Sequence, residues 1–162
     1  MVSQNPEICL LLHNIRSTHN VGSIFRTSDA VAIKKIYISG YTPTPIDRFG
    51  RIRKDIAKVS LGAEKDIEWQ YIENIKNLIK DLKKSGFKIV ALEQDEKSVD
   101  YRKCKKTREY KNILLIVGNE VGGIEKEILD LCDEIVEIPM FGNKESLNVS
   151  VATGIILYAL KS

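Results

Sequence analysis

Asn20 and Arg26 stand six residues apart in "HNIRSTHNVGSIFRTSDA" (13–30), where Ile24, Phe25, Ser28 and Val31 fall on one side of a predicted helix. Six residues are about one and two-thirds helical turns. An arginine is an unusual charge among Ile24, Phe25 and Ala30. Asn20, followed by Val-Gly-Ser, also reads as a helix cap. A second stretch, "IVGNEVGGI" (116–124), places glycines where a strand turns toward a helix, which lets a ligand approach the backbone. It fails the dinucleotide fingerprint, because Glu120 stands where the second glycine is required, and no Lys-Ser/Thr follows to make a phosphate loop. A third stretch, "IPMFGNKESLNVSVATGIILY" (138–158), sets Ser146, Asn148 and Ser150 at every second place in an otherwise apolar run. Buried groups of this kind need hydrogen-bond partners.

Other chemistries find little support. His13 and His19 have no orienting partner in the sequence and read as structural or surface residues. No serine sits in a G-x-S-x-G elbow. Cys9, Cys104 and Cys132 are odd in number and far apart, with no CxxC pair, so neither a zinc site nor a disulfide framework is expected, and no metal is called for.

The elements that must position these residues alternate. "ICLLL" (8–12), "KIYIS" (35–39), residues 67–71, "FKIVAL" (87–92), "NILLIVG" (112–118) and "EIVEIP" (134–139) read as strands. Helices are predicted from Asn20, over about 72–85 and near 125–131; Gly86 suits the left-handed stop of the second. "GYTPTPIDRFG" is a loop marked by Pro and Gly. From Leu147 to Ala152 the pattern alternates like a half-buried strand. From Thr153 to Leu160 it is a continuous apolar run that suits a buried helix or strand alike. Apolar strands alternating with helices define an α/β fold, a mostly parallel sheet with helices on both faces. Ligands of such sheets bind beyond the carboxyl ends of the strands, where "ALEQ", "VGNEVGG" and "IPMFGNKES" all fall.

The chain has 162 residues, 43% hydrophobic and 29% charged, which is the size and composition of one globular domain. Its net charge of +3 implies no particular partner. The distribution is more telling. Residues 97–111 hold seven Lys or Arg against two acids, and residues 47–58 hold five against two. Arg48, Arg51 and Arg53 in one, and Lys103, Lys105 and Lys106 in the other, interleave with aromatics as in a phosphate-backbone footprint. No secretory leader or membrane-spanning stretch is recognised, so a cytoplasmic location with reduced thiols is expected.

The three stretches, in this order and spacing, resemble the motifs of the SpoU/TrmH family of SPOUT RNA methyltransferases, and "SLGAEKDI" (60–67) resembles the segment that follows the first motif. The resemblance covers essentially the whole chain, read as a single SpoU-type domain over 1–162. It implies a C-terminal deep trefoil knot, S-adenosyl-L-methionine as methyl donor, an RNA ribose 2′-hydroxyl as acceptor and a homodimer. The RNA would be tRNA or rRNA, with tRNA slightly favoured. By motif position it implies Asn20, Arg26, Glu120, Ser146 and Asn148 as the catalytic group. It places cofactor contacts at Leu92, Gly118, Ile138 and Leu147, with Glu93, Asn119 and Met140 nearby. The family's proposed role for its arginine as a base is demanding for so high a pKa; binding the adjacent phosphate is an easier task. A non-catalytic RNA-binding module on the same fold is the competing reading, and the intact motif residues speak against it.

Overall fold

The computed structural model describes residues 5–104 and 106–162. Lys105, expected to meet RNA, lies outside the described residues; the backbone of Lys106 begins a short 3-10 turn, Lys106–Glu109. Among the described residues seven strands form one sheet: β1 (Glu7–His13), β2 (Lys35–Ser39), β3 (Glu68–Tyr71), β4 (Lys88–Leu92), β5 (Val99–Asp100), β6 (Asn112–Val117) and β7 (Glu134–Glu137). Their spatial order is β3-β2-β1-β6-β4-β7-β5, and every pairing is parallel. All carboxyl ends therefore share one edge. Leu12, Val117 and Leu92 lie side by side there in register.

Among the described residues six α-helices cover the sheet: α1 (Thr18–Ala30), α2 (Lys54–Ser60), α3 (Ala63–Asp66), α4 (Ile75–Lys84), α5 (Lys126–Leu129) and α6 (Val149–Lys161). Alternate residues of a strand serve opposite faces. Leu10, Leu12 and Leu115 pack with Phe25 of α1, Ile56 of α2 and Leu157 of α6. Leu11, Leu114 and Ile116 pack on the other face with Ile79 of α4 and Ile128 of α5. The central strands are buried on both sides, which is why they read as unbroken apolar runs.

Three local features set the entry to the site. Ser17, not Asn20, caps α1; its side chain accepts from the Asn20 N–H at 3.1 Å, which leaves the Asn20 amide for other work. Gly22 lets α1 press on α2, because a Cβ there would stand 2.8 Å from the Ile56 carbonyl oxygen. The alternating pattern of 147–152 is not a strand: Asn148 caps α6, its Oδ1 accepting from the N–H groups of Ser150 and Val151 at 2.9 and 3.4 Å. Helices α2 and α3 and strand β5 escape sequence reading because they are short: each helix buries two residues and β5 buries none, too few to show a periodic face.

Candidate active site

A cleft of about 330 Å³ opens at the carboxyl edge between β4, β6 and β7, with the segment 138–147 folded across it. All seven positions expected to meet a cofactor, Leu92, Glu93, Gly118, Asn119, Ile138, Met140 and Leu147, line it. Residues 138–147 belong to no strand or helix, so their backbone groups are not consumed by a ladder. One of them, the Glu145 carbonyl, accepts from Gln94 Nε2 at 2.8 Å and ties this segment to the end of β4. Among the described residues the lining includes Glu93, Glu120, Glu137 and Glu145 but no lysine or arginine.

The loop after β6 is built by two side chains. Asn119 Oδ1 accepts from the N–H groups of Val121 and Gly122 at 2.8 and 2.7 Å, and its Nδ2 donates to the Asn14 carbonyl and to Tyr41 Oη. The Glu93 carboxylate accepts from the Ile124 N–H at 2.9 Å. It lies so close to Gly123 that a Cβ there would stand 2.3 Å from Glu93 Oε2; Gly123 also has φ +68°. Glu93 and Asn119 thus shape the wall of the cleft as well as facing it.

At the mouth, three of the five residues expected to be catalytic form one hydrogen-bonded chain. Asn148 Nδ2 donates to Asn20 Oδ1 at 3.1 Å, and Asn20 Nδ2 donates to Glu120 Oε1 at 3.2 Å. Asn20 is buried, whereas Glu120 and Asn148 are exposed. Ser146 lines the same cleft. Arg26 stands apart. It is exposed on α1, its neighbours Ile24 and Phe25 face the core, and it forms no ion pair with another described residue. The apolar neighbours that made it look misplaced in sequence simply occupy the other side of the helix. It shares a helix face with Ser23, three residues earlier, which borders a groove of about 420 Å³ between α1 and α6.

His13 is structural, as expected, but it is well partnered. Its Nδ1 lies 2.9 Å from Ser39 Oγ and its Nε2 2.9 Å from Glu125 Oε2, joining the ends of β1 and β2 to the start of α5. Burial pushes the Glu125 carboxyl up, but hydrogen bonds from His13 and the backbone outweigh it and hold the group below its ordinary range. Sequence reading missed Gln94 and Tyr41. Gln94 was visible in "ALEQ" at a strand end; nothing local announces that Tyr41 reaches Asn119.

A wholly parallel sheet, with a carboxyl-edge cleft roofed by an irregular segment and a polar chain at its mouth, defines an α/β ligand-binding enzyme fold. Residues 7–158 match the SpoU rRNA Methylase family. The chain belongs to that family. It is 37% identical over 158 residues, 96% of its length, to a tRNA (guanosine(18)-2′-O)-methyltransferase of Aquifex aeolicus, of which it spans 69%. It is 30% identical over 152 residues to a 23S rRNA (guanosine-2′-O-)-methyltransferase of Neisseria meningitidis serogroup B; the match covers 94% of this chain and 57% of that one. A solved AdoMet-bound rRNA methyltransferase from Sinorhizobium meliloti superposes with TM-score 0.85 at 28% identity, over 99% of this chain and 57% of that one.

Proposed function

We propose that this chain transfers a methyl group from S-adenosyl-L-methionine to a ribose 2′-hydroxyl of RNA. The observation that carries the reading is the Asn148–Asn20–Glu120 chain at the mouth of an acidic, cation-free cleft. A sulfonium cofactor with an amino-acid tail carries net positive charge. Four glutamates, with no lysine or arginine among the described lining residues, suit it and would oppose the pyrophosphate of a dinucleotide. The backbone between Ile138 and Leu147, outside any strand or helix, with Leu92 and Gly118 opposite, suits an adenosine held by main-chain groups. When bound, the cofactor supplies an electrophilic methyl.

The protein's own task is the acceptor. A ribose hydroxyl is a weak nucleophile, so it must be oriented and its proton removed as the oxygen–methyl bond forms. Asn20 is buried and fixed at both ends of its amide, so it holds Asn148 and Glu120 in place. Asn148 and Ser146, at the start of α6, are the groups placed to bind the ribose. Arg26 binds the adjacent phosphate and orients the hydroxyl.

Arg26 performs that task in a homodimer. Val151 and Tyr158 on α6 are 51% and 56% exposed, a large apolar face for a monomer. With Ser23 and Thr27 of α1 they line the groove beside Arg26. A second copy on this face covers it and brings Arg26 toward the partner's cleft. On this reading residues 1–162 form one SpoU-type domain whose segment after β7 closes the trefoil knot. The substrate is tRNA somewhat more readily than rRNA, in keeping with the tRNA (guanosine(18)-2′-O)-methyltransferase relative, and the setting is the cytoplasm. Among the described residues no helix is long and apolar enough to cross a membrane.

The test is incubation of the purified protein with labelled S-adenosylmethionine and tRNA or rRNA lacking the modification, followed by nuclease digestion and mass spectrometry. A gain of a 2′-O-methylnucleoside is expected. No gain in either RNA, or a methyl group on a base, would overturn the proposal.

A further inference from the structure

Beyond the cleft, a second cavity of about 760 Å³ lies on the same carboxyl edge, after β2. Tyr41, Phe49, Trp69 and Tyr71 line it, together with three arginines, Arg48, Arg51 and Arg53. The turn that presents them is firmly built. Asp47 Oδ1 accepts from the N–H groups of Phe49 and Arg51 at 2.8 and 3.0 Å, the Asp47 N–H donates to the Arg51 carbonyl at 2.8 Å, and Ile46 bridges Ile52. At its tip the Phe49 ring has the guanidinium carbons of Arg48 and Arg51 at 4.8 and 4.9 Å from its centre, yet stays 66% exposed. Lower down, Tyr71 Oη donates to the Gly40 carbonyl at 2.9 Å, which fixes the wall. Arg53 Nε–H is buried and meets no acceptor among the described residues. A buried donor without a partner points to an absent acceptor.

An exposed phenylalanine, three further aromatics and surplus arginine charge do not make a plain phosphate footprint. Charge alone needs no rings, and a packed turn gains nothing from an open one. Aromatic faces and guanidinium planes are what unstacked bases lie on. We infer that this cavity receives the base of a nucleotide near the one being methylated, stacked on Phe49, with the arginines on its phosphates. The inference rests on the proposed action on RNA. Two strand spacings, roughly 10 Å, separate β2 from β6, so one strand of RNA reaches both sites. Tyr41 couples them directly through its hydroxyl on Asn119. The site selects single-stranded or looped RNA, since a base within a duplex has its faces covered by its stacked neighbours.

The chain has one tryptophan, Trp69, and it lies in this cavity. The experiment titrates the full chain with a short oligouridylate and with an abasic ribose-phosphate oligomer of equal length, reading Trp69 fluorescence and anisotropy at fixed salt. Bases are expected to quench Trp69 and to tighten binding about tenfold or more over the abasic oligomer. Phe49→Ala should erase that difference while leaving the abasic affinity unchanged; thermal melts check that it folds. Equal affinity for the two oligomers, or an unchanged preference in Phe49→Ala, would overturn the base site. Calorimetry with S-adenosylmethionine runs in parallel. A protein that binds and uses the cofactor on RNA but shows no base preference loses only this inference. One that prefers bases but binds no cofactor keeps it and loses the enzymatic reading.

Discussion

Asn148 and Asn20 are 128 residues apart in sequence, and their side-chain amides meet at 3.1 Å. The contact joins the first turn of α1 to the cap of α6, so the two helices are locked at the point where the cleft opens. Asn148 does two things with one amide. Its oxygen caps α6, and its nitrogen reaches Asn20.

The two roles separate by mutation. Asn148→Ala loses both, and the cap alone is worth about 1 kcal/mol, or roughly 2–4 °C in Tm for a chain of this size. Asn148→Asp keeps the cap oxygen and loses the donor. It should melt near the parent temperature and still transfer methyl groups at least about tenfold more slowly, as expected when a transition-state hydrogen bond is removed. Melting curves and single-turnover assays on the same samples decide it; parent-like methyl transfer in Asn148→Asp would make the residue a cap alone.

Arg26→Ala should fold normally and bind cofactor normally, because the side chain is exposed and outside the cleft lining. Methyl transfer should fall at least about a hundredfold. Arg26→Lys should restore little, since an ammonium lacks the planar fork. Mixing Arg26→Ala with Asn148→Asp subunits should recover part of the activity if Arg26 serves the partner's cleft. No recovery, with exchange of subunits shown by mass, would place Arg26 in its own.

Gly123→Ala forces a side chain into a left-handed backbone, at roughly 1–2 kcal/mol, and onto the Glu93 carboxylate. The result should be a lower melting temperature and cofactor binding weakened by more than about tenfold. Calorimetry with S-adenosylmethionine reads the second effect, and a parent-like affinity would show that the Glu93–Gly123 contact does not shape the site.

Salt dependence reports the charge footprint. Replacing Arg48, Arg51 and Lys103 with Gln should reduce the slope of log affinity against log salt by roughly 0.7 for each phosphate left unneutralised on single-stranded RNA. An unchanged slope would return these residues to ordinary surface.

The Arg102 guanidinium, hydrogen-bonded to Asp100 at 2.6 Å, pulls the Asp100 carboxyl from 3.8 down to about 2. A depressed carboxylate stabilises the fold above its unfolded value and loses that contribution as pH falls through about 2. Carbon-detected NMR titration should find Asp100 near that value, and Arg102→Gln should return it to the ordinary range.

The sequence by itself determined which residue types stand at the site and on which elements. Short apolar runs such as "CLLL" and "NILLIV", alternating with helical stretches, read as strands buried on both faces, so a mostly parallel sheet with a carboxyl-edge site followed. The three stretches carrying Asn20, Glu120 and Asn148 were visible as polar groups in apolar surroundings. Tertiary structure decided the rest. Alternation made 147–152 look like a half-buried strand, but one side chain, Asn148, ends the loop there and caps α6. Nor could it show that Ser17 caps α1 and thereby frees Asn20, that Arg26 faces outward, or that Tyr41 touches Asn119. Each of these turns on which groups meet across the fold. A hydrogen bond acts over about 3 Å, and the partners Asn20 and Asn148 stand 128 residues apart along the chain.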